Sequence, residues 1–148
     1  ISACLVGSEM CIRDRNSMEH TWKDSLNLMG WGVEDDGLSV IFDKIIPTFI
    51  TKKLPQVVNK FPLKDLDGYV LHSGGMKIID AYKKIFNNDP TIEVSQKILS
   101  EYGNVSSVSV LLVLKEMIKK KSNGIFLMSA LGPGFTAGIT GLKIYSND

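Results

Sequence analysis

Along this chain the apolar positions switch between short continuous runs and a helical spacing, a pattern that predicts strands alternating with helices. Leu38-Ser39-Val40-Ile41-Phe42 is a short apolar run after the turn signal Asp36-Gly37, and it reads as a strand. Pro47 stands where a first helical turn begins, and Phe49, Ile50, Leu54, Val57 and Val58 recur at helical spacing. Pro55 predicts a kink or a split in that helix, because an interior proline loses one backbone hydrogen bond and crowds the preceding turn. Asp67-Gly68 introduces Tyr69-Val70-Leu71, a strand that ends on His72, and Gly74-Gly75 release the chain into a helix from Met76 to Phe86. Its core face is marked by Ile78, Ile79, Tyr82, Ile85 and Phe86.

A further helix from about Ile92 to Tyr102 stops at Gly103. Ser106 or Ser107 is then expected to cap a helix through Val108, Val110, Leu111, Leu112, Leu114 and Met117 that ends in Lys119 to Lys121. The first half of this helix is apolar nearly all round, which predicts that it is buried through the middle of the molecule. Ile125 to Leu131 and Thr136 to Tyr145 flank Gly132-Pro133-Gly134 and predict an antiparallel hairpin at the end of the sheet. The expected fold class is α/β, a mixed sheet with helices packed on it and one central buried helix.

Composition narrows the function classes. With 148 residues and 44% hydrophobic content the chain can bury one core, and a net charge of +1 carries no nucleic-acid signature. The lysine runs at 52–53 and 119–121 read as solvated helix ends. No stretch approaches the ~20 apolar residues that cross a bilayer, and the N-terminus lacks the apolar core of a signal peptide, so a cytoplasmic protein without membrane contact is expected. Cys4 and Cys11, with only His20 and His72 as histidines, fit neither a disulfide framework nor a metal site. Both cysteines lie in Ile1 to Arg15, whose pattern does not continue past Arg15. That segment reads as an adaptor-like extension, with natural sequence beginning near Asn16 and one unit over 16–148.

The chemistry-bearing residues sit where apolar elements meet glycine turns. His72-Ser73-Gly74-Gly75 closes a strand, Gly103-Asn104-Val105-Ser106-Ser107 joins two helices, and Gly132-Pro133-Gly134 joins two strands. Open α/β sheets place ligands at the carboxyl ends of their strands, so His72 is at the position to watch. Each motif taken alone has a structural reading: a histidine that hydrogen-bonds the backbone, an asparagine that ends a helix, and glycine turns.

Together these motifs resemble the type III polyketide synthases, the family of chalcone and stilbene synthases and bacterial alkylpyrone and alkylresorcinol synthases. The resemblance runs from His20-Thr21-Trp22 and Met29-Gly30-Trp31 to Tyr145. It is carried by GLSVIFDKIIP (37–47), LHSGGMKIIDA (71–81), LSEYGNVSS (99–107) and GPGFT (132–136). It implies the C-terminal half of a thiolase-like fold, from an acyltransferase that condenses an acyl-CoA starter with malonyl-CoA by decarboxylative Claisen chemistry. His72 and Asn104 match the family's catalytic histidine and asparagine, two donors that can face one thioester oxygen as it becomes an enolate. The histidine would also activate the nucleophilic cysteine.

The resemblance further implies that Val40, Gly74, Gly75, Ser106, Gly132, Pro133 and Gly134 line the substrate. It implies no cofactor beyond the CoA thioesters themselves, and a homodimer when the enzyme is whole. The family's nucleophilic cysteine belongs to the other half of the fold, so this chain alone is expected to be inactive and to expose a wide apolar face. Three departures stand out: Ser73 replaces the usual proline, Val40 replaces the plant gatekeeping phenylalanine, and Ala130-Leu131 precede the late glycine loop. Val40 would favour aliphatic over aromatic acyl chains. Two alternatives stay open: an initiating β-ketoacyl synthase or hydroxymethylglutaryl-CoA synthase relative, and a non-catalytic CoA- or phosphate-binding module with Gly74-Gly75 at a helix N-terminus.

Overall fold

A computed structural model describes residues 10–120 and 122–146, with side chains over 15–120 and 122–145. Among the described residues six strands and four helices follow one another as β1 (Met10–Thr21), β2 (Met29–Glu34), β3 (Gly37–Phe42), α1 (Ile46–Val58), β4 (Gly68–Leu71), α2 (Met76–Ile85), α3 (Ile92–Tyr102), α4 (Val108–Lys119), β5 (Gly124–Gly132) and β6 (Thr136–Ser146). Four strands make one mixed sheet in the order β1-β6-β5-β4, parallel only between β4 and β5, and β2 and β3 form a separate hairpin. The expected mixed α/β architecture is borne out.

One face of the sheet carries α1 and α2, whose Ile46, Ile50, Leu54, Ile79 and Tyr82 close over Leu71, Phe135 and Ala137. On the other side α3 and α4 cover Val70, Phe126 and Ile144 with Val94, Ile98, Val110, Val113 and Met117. A third group joins Val57 and Phe61 to Leu127 and Ile139. Each fully buried aliphatic side chain contributes roughly 1.5–3 kcal/mol, so these clusters outweigh local irregularities.

Pro55 is one such irregularity. Instead of splitting the helix it sits within an unbroken α1, because Ile50, Leu54 and Val57 on either side are buried and hold both segments to the same core. The closing hairpin is antiparallel as expected, but it occupies the middle of the sheet, since β1 pairs with β6 on one side and β4 with β5 on the other.

The expectation of a helix buried all round is corrected in α4. Only Ser109, Val110, Val113 and Met117 are buried, while Val108 and Leu111 remain about half exposed, because α3 and the sheet cover a single face. Nor does a serine hydroxyl cap it: Ser107 occupies the N-cap without a side-chain hydrogen bond, and Ser106 adopts φ +57. The buried Ser109 hydroxyl instead accepts the Val105 N–H at 3.0 Å.

Met10 to Arg15, read from sequence as part of an adaptor, continues β1 in register with β6, with a bulge between Asp14 and Asn16. A ladder uses main-chain groups only, so this pairing does not depend on the identity of the side chains. Residues 1–9, with Cys4, lie outside the described residues.

Candidate active site

The site is built where β4 runs out. His72 follows the last residue of β4, and its N–H donates to the Ser129 carbonyl of β5 at 3.0 Å, so the sheet fixes its backbone. The chain then turns tightly, the Gly74 N–H donating to the His72 carbonyl at 3.0 Å, and Gly75 opens α2 by accepting from the amides of Ile78 and Ile79. A Cβ on Gly74 would stand 3.3 Å from His72 Cδ2 and 3.4 Å from Nε2, so the missing side chain lets the imidazole lie close to the turn.

Asn104 reaches the same turn from the other side of the fold. Its Nδ2 donates to the Gly74 carbonyl at 3.1 Å, and its Oδ1 accepts the Ser106 N–H at 3.0 Å. Gly103 ends α3 at φ +70, a backbone shape that favours glycine, and this swings Asn104 away from the helix axis. A small pocket of about 20 Å³ is lined by both His72 and Asn104, together with Met29, Phe42, Ile46, Gly74, Ile78, Leu131 and Phe135. That is room for one water-sized group, against a largely apolar wall.

His72 is buried, and burial pushes its imidazole below the ordinary histidine range, favouring the neutral form. Its Nδ1 finds no protein hydrogen-bond partner, and the same holds for the buried hydroxyls of Ser73 and Ser129. A neutral imidazole has one N–H to give and one lone pair to accept with. Two neutral donors in a dry pocket can stabilise charge that develops on an oxygen placed between them.

The other residues singled out from sequence fall in different places. Gly75 lies one step outward, in an adjoining cleft with Gly74, Met76 and Lys77. Val40 is exposed and outside the His72 pocket, although Phe42, two residues along the same strand, lines it. Ser106 acts through its backbone by holding Asn104. Gly132 ends β5 opposite Thr136, Pro133 and Gly134 begin the turn into β6, and the neighbouring Leu131 and Phe135 reach the pocket.

Sequence reasoning missed the device that fixes Phe135. The buried Ser25 hydroxyl accepts the Phe135 N–H at 2.6 Å and shares its own proton between the carbonyls of Trp22 and Gly134. Trp22 and Phe49 pack against the Phe135 ring. A serine in a polar stretch carries no pattern that would reveal this. Among the described residues no group of three His, Cys, Asp or Glu side chains is placed to hold a metal ion.

Residues 58–144 match the family model described as 3-oxoacyl-(acyl-carrier-protein, ACP) synthase III C terminal, more than half of the chain. The chain belongs to this family. Within it, a putative chalcone synthase of Bacillus subtilis (strain 168) is 37% identical over 125 residues, 78% of this chain and 34% of the relative. The 1,3,6,8-tetrahydroxynaphthalene synthase of Streptomyces coelicolor is 29% identical over 118 residues, 72% of this chain and 31% of the relative. A β-ketoacyl-(acyl-carrier-protein) synthase III of Microcystis aeruginosa is 34% identical over 99 residues, 61% of this chain and 29% of the relative.

The crystal structure of the Streptomyces coelicolor synthase, a bacterial type III polyketide synthase, superposes with a TM-score of 0.81 at 23% identity, covering 93% of this chain and 42% of that one. The C-terminal type III polyketide synthase domain of Steely1 from Dictyostelium gives 0.81 at 24% identity, covering 89% of this chain and 40% of that one. The resemblance to type III polyketide synthases and the C-terminal thiolase-like fold are borne out. The chain spans about a third of the length of these curated relatives.

Proposed function

We propose that this chain is the C-terminal part of a type III polyketide synthase and that His72 and Asn104 are its decarboxylation pair. The observation that carries the reading is their meeting at one turn, both lining a pocket with room for a single small group. In this reading the thioester carbonyl of a malonyl-CoA sits between imidazole and carboxamide. As carbon dioxide leaves, the electron pair of the broken C–C bond moves to the α-carbon and onto the thioester oxygen, which both donors stabilise as an enolate. The carbanion then attacks an acyl group held by a cysteine thiolate from the rest of the enzyme. Burial keeps His72 neutral as a donor; it becomes imidazolium only when a neighbouring thiol gives up its proton.

Asn104 Nδ2 now donates to Gly74, and a carboxamide has two N–H groups, so one can hold the turn while the other serves the substrate. The reading brings acyl-CoA and malonyl-CoA as substrates, no separate cofactor, a cytoplasmic setting and a homodimeric whole enzyme. Among the described residues no helix is long and apolar enough to cross a membrane. The small side chain of Val40 bears on starter choice only through the hairpin that carries Phe42 into the pocket.

The test is a chimera in which this chain replaces the matching C-terminal third of the Streptomyces coelicolor synthase. Decarboxylation of malonyl-CoA is followed by release of carbon dioxide and CoA. His72→Ala and Asn104→Ala should each lower turnover by roughly a hundredfold or more with little change in melting temperature. Unchanged turnover in either variant would refute the assignment. The family model and the Microcystis relative also favour a second reading, a synthase that extends its starter once. Product length decides between them, several extensions for a polyketide synthase and one for an initiating ketoacyl synthase.

A further inference from the structure

The His72 ring presents its two nitrogens to different surroundings. A Cβ on Gly74 would come within 3.3 Å of Cδ2 and 3.4 Å of Nε2, so that edge of the imidazole faces the turn to which Asn104 is bound. Nδ1 lies across the ring from Cδ2 and is turned the other way, into the protein, where it is buried without a hydrogen-bond partner. Two more polar groups, next to His72 in the chain and in the ladder, share that condition. Ser73 follows His72 directly, and Ser129 pairs with Leu71 and holds the His72 N–H by its carbonyl. Ser73 is 0% and Ser129 1% exposed, and neither hydroxyl meets a protein partner.

Nearly all buried polar groups in folded proteins are hydrogen-bonded, so three orphans on neighbouring residues call for one common explanation. No charged side chain supplies it. The residues lining the His72 pocket are uncharged, and burial alone lowers the pKa of the ring. Asp43 and Lys44 ahead of α1, Lys77 and Asp80 on α2 and Glu101 on α3 are all exposed, and Tyr82, buried on α2, is kept protonated by its own burial. A water molecule is held in a protein interior by two to four polar partners, and His72, Ser73 and Ser129 offer three. Water and hydroxyl oxygens both accept and donate, unlike a carbonyl or an amide, so one arrangement serves a ring that changes its protonation.

Resting on the function proposed above, we propose that Ser73 and Ser129, through a buried water that they share with Nδ1, are positioning residues that support His72 as it activates the nucleophilic cysteine. The neutral ring carries its proton on Nδ1, which donates into this group, and offers its Nε2 lone pair to the thiol. The S–H bond breaks, an Nε2–H bond forms, and the resulting imidazolium is held by its Nδ1–H. When Nε2 later donates to the thioester oxygen, Nδ1 accepts from the same group. A hydrogen bond from a charged donor is about twice as strong as a neutral one, so the group favours thiolate and imidazolium over thiol and neutral ring. A proline in place of Ser73 would bring no hydroxyl, so this support belongs to the present sequence.

The experiment uses the chimera and follows the alkylation rate of its nucleophilic cysteine by iodoacetamide against pH, resolved by peptide mass. Ser73→Ala combined with Ser129→Ala should raise the pH of half-maximal rate by about one unit, the scale of one charge-assisted hydrogen bond, with each single variant in between. Tyr82→Phe, which removes another buried hydroxyl without a partner, should leave the midpoint unchanged. Adding both serine changes to His72→Ala should move it no further than His72→Ala alone. An unshifted midpoint in the double serine variant would overturn the proposal, as would a shift of the same size in the His72→Ala background or a shift with Tyr82→Phe. His72→Ala on its own tests the functional reading: if it changes neither alkylation nor turnover, that reading fails, whereas an effect of His72→Ala with none from the serines removes only the present proposal.

Discussion

At the scale of single residues, Gly74 links the two proposed catalytic groups, its carbonyl accepting from Asn104 and the place of its missing side chain lying against His72 Cδ2 and Nε2. Gly74→Ala would press a methyl against an imidazole held by the sheet, and displacements of well under 1 Å are costly in active sites. In the chimera turnover should fall at least tenfold while the melting temperature drops by only a few degrees. His72 also sets a pH dependence. Its folded pKa lies below its unfolded value, so the unfolded state binds more protons in between and stability rises with pH. The contribution is complete above the ordinary histidine value of about 6.5 and is lost as pH falls from there through the lowered value. Denaturant unfolding at a series of pH values should show a shallower acid slope for His72→Gln. Ser25→Ala would strand the buried Phe135 N–H, at a cost of roughly 1–3 kcal/mol, and loosen the pocket wall. His72 and Asn104 were legible because their glycine neighbours mark turns; Ser25 was not, because a hydroxyl's partners are set by chain crossings that no local pattern records.

At the scale of elements, α3 does more than cover the sheet. The Thr91 hydroxyl accepts the Tyr69 N–H at 2.8 Å, and the buried Ser95 hydroxyl donates to the Leu71 carbonyl at 2.8 Å. Both bonds fall on β4, the strand that delivers His72. Ser95→Ala should cost about 1 kcal/mol or somewhat more, since a buried carbonyl is left unpaired, and chemical denaturation would read it. Its effect on turnover should exceed that of Ser100→Ala, whose hydroxyl bonds only within its own helix. Element types were largely readable: α3 matches its expected span because Gly103 stops it, and β3 follows from Asp36-Gly37. The partner strand β2 escaped notice because Met29-Gly30-Trp31-Gly32-Val33-Glu34 mixes glycines with exposed apolar residues and shows no buried face. Sheet order was hidden for a different reason, since pairing between β1 and β6 joins residues more than a hundred positions apart.

At the scale of the whole molecule, large apolar side chains remain uncovered among the described residues, and two groups of them stand out. One follows the β2–β3 hairpin through Trp31, Val33, Leu38 and Val40; the other joins Tyr102, Val105, Val108 and Leu111 where α3 meets α4. The even apolarity of α4 was a true signal that a sequence could give, but it misled here because burial depends on what packs against the second face. Patches of this kind drive association. The chain alone should bind hydrophobic dyes and scatter light as concentration rises, and Val108→Glu with Leu111→Lys should raise its monomeric fraction in sedimentation. A soluble, cooperatively melting monomer without these changes would count against that expectation. The hydroxyls of Thr91 and Ser95 have a consequence here too. They occupy main-chain groups along the free border of β4, so an incoming foreign strand finds no template there. Within the four-stranded sheet, among the described residues, that leaves the opposite border at β1 as the template for an added strand, and a proline in place of Met18 should suppress pairing there without disturbing the catalytic end.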